Sequence, residues 1–404
     1  MPNAPGHPML PLMQRTLGAI LVAAILAACG TAADPSVAPS PTPTPRPSAT
    51  PTPATPSETP EPSIAPTPPA DVAFEPATVP QTQDGTAVTT IVPGGEGLVA
   101  IGFDGVFGST LWTSGDGGRT WTDITPENFA SFGIVSVVEY EGRLVGVGRG
   151  DTLDVDAQEA AVYVSDDGFV WRKVTEAGDM LGQLIDVVAT DDGLFATGGV
   201  VTSDSGGVWH STDAENWERV GTDFANAFLW SIAEGGPGLV AVGWRRNPEP
   251  DLSVWTSADA GVTWTLAPDP EGFAGFEATD VAALPDGSLA MVGSSFDGAL
   301  GRFWHSPDGL EWSMVMETTD AWARVLAPTP IGMVAAGKGG WHLGGAWVST
   351  DGLAWSPLGD SVEGAFFAGI AATDAGIMFP GATQSGTFET GIEADAAIWL
   401  ATFD

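Results

Sequence analysis

The chain of 404 residues has 13 basic and 51 acidic side chains, which gives a formal net charge of −38 at pH 7. This balance excludes nucleic acid as a partner, because phosphate binding requires a basic surface. The same acidity could recruit divalent cations. The single cysteine, Cys29, excludes a fold held together by disulfides within the chain.

The first 29 residues have the form of a targeting segment. Arg15 supplies a positive charge, and residues 17–28 form a short apolar run that ends in Leu26-Ala27-Ala28 before Cys29. The run is too short for a bilayer span, which needs about 20 apolar residues. The ending resembles a bacterial lipobox, and the resemblance implies cleavage before Cys29 and lipidation of that residue. An ordinary secretory signal that contains a cysteine is the alternative.

Residues 30–70 consist mainly of Pro, Thr, Ser and Ala. Such a stretch buries too little apolar area to offset the entropy of ordering, so it predicts an extended, polyproline-like stalk. With a lipid on Cys29, the stalk predicts a protein held at the outer face of a bacterial membrane. Residues 71–404 are then the folded part.

The folded part contains an internal repeat of about 43–51 residues, a period typical of propellers and solenoids. One marker is an apolar run that ends in glycine, found at residues 98–102, 144–148, 194–198, 239–243, 289–293, 333–337 and 377–381. An aromatic residue follows each run: Trp112, Tyr163, Trp209, Trp255, Trp304, Trp347 and Trp399. Short runs of β-formers between Gly, Asp and Pro predict strands throughout.

A third marker joins six of the aromatic strands to a turn with the pattern Ser-x-Asp, followed by tryptophan. Its aspartates are Asp116, Asp167, Asp213, Asp259, Asp308 and Asp351. The carboxylate can accept backbone N–H groups within its own turn, and the serine hydroxyl can do likewise. We therefore expect these aspartates to be structural.

This motif resembles the Asp-box, or bacterial neuraminidase repeat, and the resemblance covers residues 86–404. It implies an all-β fold of propeller type, and seven repeats of four antiparallel strands predict a seven-bladed β-propeller. The last repeat ends without an outer strand. Phe74 precedes Thr90 by 16 residues, as Trp264 precedes Asp280. We therefore predict that residues 72–80 supply the missing strand and close the ring of a monomer.

Strand alternation places the Ser-x-Asp turns on one face and longer, more varied loops on the other, where binding residues usually lie. These loops cover residues 149–159, 244–252, 338–345 and 382–395. The predicted ligand-binding residues on this face are Trp230, Trp244, Arg245, Arg246, Trp322, Arg324, Trp341 and His342. Exposed aromatic and basic groups suit a sugar-like or anionic ligand. The alternative is that the tryptophans cap the ends of the blades.

The first strands begin, around the predicted channel, with a polar or small column: Thr90, Ser136, Asp186, Ser231, Asp280, Arg324 and Gly369. Two interpretations follow. Asp280 and Arg324 form an ion pair that lines the channel, or the column is a ligand-binding or hydrolytic site. In the second case Asp186 and Asp280 are the catalytic candidates.

A separate acidic loop places Asp151, Asp154, Asp156 and Glu159 at nearly alternate positions, as hard cations prefer. It lacks the glycine and the spacing of an EF-hand. The loop is either a calcium site or a solvated acidic segment, and no other cofactor is indicated.

Sialidases share the Asp-box, and that resemblance implies a site with three arginines, a tyrosine nucleophile with a glutamate, and an acid aspartate. This sequence departs from the pattern, because Tyr163 belongs to the core column and Tyr140 to the opposite face. The leading hypothesis is a non-catalytic surface module that binds an extracellular glycan, peptide or envelope protein. The alternative is a glycan hydrolase that uses Asp186 and Asp280, whose separation would decide between retention and inversion.

Overall fold

The computed structural model describes residues 72–80, 85–95, 97–103, 108–127, 129, 133–150, 159–174, 182–200, 205–221, 224–246, 248–268, 272–340, 342–387 and 391–403. Within these ranges no helix has the length and apolar character needed to cross a bilayer. The predicted signal segment with Cys29, the predicted stalk, Trp341 and the loop with Asp151, Asp154 and Asp156 lie outside the described residues.

The described part is all-β and consists of six hydrogen-bonded sheets. Sheet I contains β2 (Ala87–Gly94), β3 (Gly97–Phe103), β4 (Ser109–Ser114) and β5 (Thr122–Asp123). Sheet II contains β6 (Gly133–Tyr140), β7 (Arg143–Arg149), β8 (Ala160–Ser165) and β9 (Arg172–Val174). Consecutive strands within each are antiparallel and follow one another along the chain, as in a propeller-type fold.

Sheet III has eight strands in two halves. Half IIIa contains β10 (Gln183–Thr190), β11 (Gly193–Val200), β12 (Ser205–Ser211) and β13 (Glu218–Val220). Half IIIb contains β14 (Ala227–Gly235), β15 (Gly238–Arg246), β16 (Pro250–Ser257) and β17 (Thr265–Leu266). A single parallel pair, Ser205 with Ala227, joins the halves.

The remaining sheets repeat the same order. Sheet IV contains β18 (Phe276–Ala283), β19 (Leu289–Ser295), β20 (Leu300–Ser306) and β21 (Ser313–Thr319). Sheet V contains β22 (Trp322–Thr329), β23 (Gly332–Gly340), β24 (Leu343–Ser349), β25 (Ser356–Pro357) and β26 (Val362–Glu363). Sheet VI contains β27 (Ala365–Phe367), β28 (Ala371–Thr373), β29 (Gly376–Thr387), β30 (Gly391–Phe403) and, from the other end of the folded part, β1 (Val72–Pro76).

The core lies between the sheets. Hydrophobic clusters join I with II, II with IIIa, IIIa with IIIb, IIIb with IV, IV with V, V with VI, and VI with I. The first strands β2, β6, β10, β14, β18 and β22 each contact the next, and β28 contacts both β22 and β2. Full burial of one large apolar side chain contributes about 1.5–3 kcal/mol, so these shared faces supply most of the stability.

A one-residue bulge interrupts the first strand of sheets I, II, IV and V and of both halves of sheet III. Pairing shifts there, for example between Ala278 and Asp280 and between Ala323 and Val325. The bulged residues are Thr89, Val135, Ile185, Trp230, Thr279 and Arg324. The predicted polar column is therefore wrong at Arg324, because Val325 is the equivalent of Asp280 and Arg324 occupies the bulge.

The Ser-x-Asp turns are held by local hydrogen bonds. Asp116 Oδ1 accepts the Thr120 N–H (2.9 Å), Ser114 Oγ accepts the Gly118 N–H (2.9 Å), and the Trp121 indole donates to the Gly118 carbonyl (2.8 Å). The hydroxyl and N–H of Thr120 lower the pKa of Asp116 to about 2. All six turns pair serine with aspartate and tie the indole to the turn in the same way.

The N-terminal strand β1 pairs antiparallel with β30, with Val72 opposite Phe403 and Pro76 opposite Trp399. Phe74 packs on the rings of Phe367 and Phe379, with centroids 5.4 and 5.1 Å away. This contact attaches β1 to the apolar face of sheet VI.

We expect Phe74→Ala to lower the melting temperature by several degrees, because truncation of a packed phenyl ring leaves a cavity between strands. Differential scanning calorimetry measures the change. Phe403→Ala on the paired strand is the matched control, since the Phe403 side chain is exposed. Equal melting temperatures for wild type and Phe74→Ala would show that β1 contributes nothing to stability.

Candidate functional site

Polar side chains interrupt the apolar first strands where sheets II to V meet, and they form two groups. The Asp–Ser chain consists of Ser136, Asp186, Ser231 and Asp280. The bulge site consists of Trp230, Glu277 and Arg324.

The Asp–Ser chain runs from sheet to sheet through side-chain hydrogen bonds. Ser136 Oγ donates to Asp186 Oδ1 (3.0 Å), and Asp186 Oδ2 accepts the Ile232 N–H (3.1 Å). Asp280 Oδ2 accepts the Leu326 N–H (2.7 Å). Each carboxyl group thus receives a backbone donor from the first strand that follows its own, which ties neighbouring sheets together.

Ser231 lies between the two carboxyl groups. Its Oγ is 2.9 Å from Asp186 Oδ2 and 2.6 Å from Asp280 Oδ1. One hydroxyl proton serves one of these contacts, so the other requires a proton on a carboxyl oxygen. Burial raises the pKa of Asp280 to about 7, and the charge of Asp186 adds to the shift. Burial also raises the pKa of Asp186. A protonated Asp280 that donates to Ser231 Oγ satisfies both contacts.

These contacts restrict what Asp186 and Asp280 can do chemically. Asp186 accepts from Ser136, Ser231 and the N–H groups of Val187 and Ile232. The Ser231 Oγ lies between the facing oxygens of Asp186 and Asp280, at 2.9 and 2.6 Å. This hydroxyl therefore fills the space between the two carboxyl groups. Glycoside hydrolysis requires a substrate and, for inversion, a water between the two carboxyl groups. The arrangement is that of a structural link.

The bulge site holds polar groups without partners. Glu277 is only 9% exposed, and neither its Oε2 nor the Trp230 Nε1 has a hydrogen-bond partner. Half-buried Arg324 makes no hydrogen bond or ion pair with any residue in the described part of the chain. The predicted Asp280–Arg324 ion pair is therefore wrong. The bulge turns Arg324 away from the register of Asp280.

Trp230, Glu277 and Arg324 nevertheless lie close enough to influence one another's pKa values or hydrogen bonding. Burial raises the pKa of Glu277, and the Arg324 charge and the Trp230 N–H act against that rise. Burial lowers the pKa of Arg324, while Glu277 and Asp280 act against the decrease. The three groups therefore stabilise one another electrostatically, while Glu277 Oε2 and Trp230 Nε1 keep unfilled hydrogen-bonding capacity.

Glu277 was not among the site residues predicted from the sequence. It is paired with Ser294, as Phe228 is paired with Trp244 and Trp322 with Lys338, so it holds the same position as two aromatic residues. A charged residue at a position that the other first strands fill with uncharged residues was the available signal. The signal appears only when the strands are aligned through the bulge.

The other predicted site residues fall into separate groups. Trp244 is buried against Phe228 (6.3 Å between centroids), and the Arg246 guanidinium lies 5.6 Å from the Trp244 ring. Half-buried Trp322 packs on Phe366 (6.4 Å) in sheet VI. Arg245 on β15 lies opposite Ala227 on β14. His342 lies in the β23–β24 turn with φ 53°.

The tyrosines and acidic groups give no sialidase-like or metal site in the described ranges. Tyr163 is buried with its hydroxyl on the Arg149 carbonyl (2.8 Å), and the Tyr140 hydroxyl donates to Thr212 in a Ser-x-Asp turn (3.1 Å). Nowhere in those ranges do three His, Cys, Asp or Glu residues form a group that could hold a metal.

We expect Asp280→Asn to remove a pH dependence of stability. A carboxyl group whose pKa is raised to about 7 stabilises the fold at low pH, and this contribution is lost as the pH rises from about 4 to about 7. Urea unfolding at pH 5 and pH 7.5 should show a smaller difference for Asp280→Asn than for wild type.

Asp213→Asn is the matched control, because the backbone and side chain of Asn216 lower the pKa of Asp213 to about 2, outside this pH window. Identical pH dependence in wild type and Asp280→Asn would contradict the protonated carboxyl.

No family model matches the chain, and no curated protein matches it. Among solved structures, it is similar to a protein of unknown function from Dyadobacter fermentans DSM 18053, with 13% identity, a TM-score of 0.49, and coverage of 82% of this chain and 100% of that one. It is also similar to Trypanosoma rangeli sialidase in complex with sialic acid, with 14% identity, a TM-score of 0.44, and coverage of 80% of this chain and 59% of that one.

Proposed function

We propose that residues 71–404 form one closed, monomeric β-propeller of seven blades built from Asp-box repeats. Halves IIIa and IIIb count as separate blades in this proposal, since one residue pair joins them. The cluster that contains Val88, Trp112 and Ile398 supports closure between the first and last blades. The pairing of β1 with β30 supports the completion of the last blade by the N-terminal strand.

We further propose that this propeller is displayed at the outer face of a bacterial membrane. The support comes from the sequence: the lipobox-like ending at Cys29 and the Pro/Thr/Ser-rich composition of residues 30–70. The bulge site would then face extracellular ligands.

We infer that the propeller is a non-catalytic module that binds an extracellular glycan, peptide or envelope protein at the bulge site. The observation that carries this function is the set of unpartnered groups on Trp230, Glu277 and Arg324. An unsatisfied buried polar group costs about 1–3 kcal/mol, so each needs an explanation. The fold does not require these three residue types, because equivalent positions hold uncharged residues such as Ile185 and Thr279 at the bulge and Phe228 and Gln183 at the position of Glu277.

The chemistry of the three groups restricts the ligand. Arg324 and the Trp230 N–H need acceptors, whereas an ionised Glu277 needs a donor. Hydroxyl and amide groups provide both, and glycans and peptides are rich in them. A simple anion would satisfy Arg324 and be repelled by Glu277.

A hydrolase that uses Asp186 and Asp280 is less well supported. The raised pKa of Asp280, about 7, would suit a general acid. The Ser231 hydroxyl between the two carboxyl groups and the backbone donors from neighbouring strands argue against substrate access. Hydrolysis of an array glycan by wild type, abolished in Asp280→Asn, would favour the hydrolase instead.

Binding should be tested with the full-length protein in lipid nanodiscs on arrays of oligosaccharides and of extracellular peptides. We expect Arg324→Met and Glu277→Gln to weaken binding to any captured probe at least tenfold. The melting temperature of Arg324→Met should fall by no more than a few degrees, because the free protein loses no hydrogen bond and only the charge attraction between Arg324 and Glu277.

Arg302→Met is the matched control. Arg302 is satisfied by Glu317 (2.8 Å) and lies over Phe276 (3.9 Å), so its loss should lower stability and leave binding intact. Unchanged binding by Arg324→Met, or a large loss of stability in that variant, would contradict the proposed site.

Anchoring gives a separate prediction. Cys29→Ser should move the protein from the membrane fraction to the medium and abolish incorporation of labelled fatty acid, because Cys29 is the only cysteine. Fractionation and metabolic labelling measure both effects. Equal labelling of wild type and Cys29→Ser would rule out the lipid anchor.

A further inference from the structure

Several connections between consecutive sheets carry a phenylalanine that packs on the next sheet. Phe224 and Phe273 are 2% and 1% exposed, and each lies two residues before a left-handed residue, Asn226 (φ 59°) or Gly275 (φ 77°). Phe224 contacts the Trp255 ring at 5.7 Å between centroids. These phenylalanines fill the space above the third-strand aromatic of the following sheet.

A buried residue packs in the same way in other connections. Phe273 contacts Trp304 at 5.9 Å, edge to face. Phe129, four residues before the start of β6, is buried in one cluster with Tyr163. In the connection to sheet VI, the residue two positions before the left-handed Gly364 (φ 69°) is Val362.

The connection from sheet IV to sheet V has Thr318 at this position, two residues before Asp320 (φ 56°). The Thr318 hydroxyl donates to the Ala321 carbonyl at 2.6 Å, and the described residues that line this side of Trp347 include no phenylalanine. A cavity of about 310 Å³ lies there, lined by Thr318 and Trp347. Trp347 is 7% exposed, whereas Trp255 and Trp304 are each 1% exposed.

The lining of this space, which we call the Trp347 cavity, is uncharged and combines apolar groups with the hydroxyl groups of Thr318, Thr319 and Ser361. Ala321, Pro357 and glycines such as Gly345 form its walls, with Ser361 among the lining residues. A Cβ on Gly345 would lie 2.6 Å from the Gly339 Cα and 3.2 Å from the Trp347 ring. This wall is therefore bare backbone and cannot carry a side chain of its own.

We propose that the Trp347 cavity is a docking site for an aromatic side chain of a partner polypeptide. The equivalent space in other connections holds a phenylalanine of the chain itself, which shows the occupant that this geometry accepts. Small-molecule pockets span about 300–1,000 Å³, so the volume suits one ring. Aromatic anchors in such pockets carry much of the binding energy of protein interfaces. The site is independent of the bulge site.

The test uses the full-length protein in lipid nanodiscs and the peptide Gly-Gly-Phe-Gly-Gly, followed by saturation-transfer NMR. We expect saturation of the phenyl protons with wild type and with Thr265→Phe, the matched control that adds the same ring at an exposed strand position outside the cavity. Thr318→Phe should abolish the signal and raise the melting temperature, because the phenyl ring fills the cavity. If Thr318→Phe does not fold, Ser361→Tyr at the exposed rim serves as the second blocking variant.

Four results would overturn the proposal. They are no phenyl saturation with wild type, saturation that persists in both blocking variants, binding that appears only in Trp341→Ala, and saturation of methyl glucoside in place of the peptide. The third result would assign the cavity to the chain's own indole, and the fourth would assign it to a sugar.

Discussion

Each four-stranded sheet of this protein is apolar on both faces, and the rest of the structure depends on covering both. Inner strands such as β3 and β11 are buried along nearly their whole length. A strand of this kind requires a packed layer on each side. Consecutive sheets therefore share hydrophobic clusters, and Ile398 of sheet VI packs in one cluster with Val88 and Trp112 of sheet I.

Packing the sheets face to face brings their first strands together, and any polar residue on those strands must find its partner on a neighbour. Asp186 and Asp280 do so through Ser231 and through backbone N–H groups of the following strands. The pKa of an aspartate shifts in opposite directions in the first strands and in the turns. Local donors lower the pKa of Asp116 to about 2, whereas burial raises that of Asp280 to about 7. The residue type alone therefore does not decide the pKa of an aspartate in this protein.

The bulge in the first strands decides where several side chains of the candidate site lie. One extra residue re-aims the side chains on one side of it, as bulges near binding sites commonly do. Trp230 and Arg324 occupy this extra position, where sheets II and IIIa carry Val135 and Ile185. Together with Glu277 they leave polar groups that no other part of the described chain satisfies. These groups carry the binding function that we propose for the bulge site.

The strands, the period of the repeat and the six turn carboxylates could be predicted from the sequence because they depend on contacts within a few residues. Ser114, Asp116 and Trp121 lie in one turn, and each makes its turn-forming hydrogen bonds within four residues. The candidate site could not be predicted in this way. Ser231 and Asp280 are 49 positions apart, and a one-residue bulge that no local pattern marks separates Arg324 from the register of Asp280. Which polar groups meet, and which stay unpaired, was decided only when the sheets packed, because burial and distance between distant strands set their partners and their pKa values.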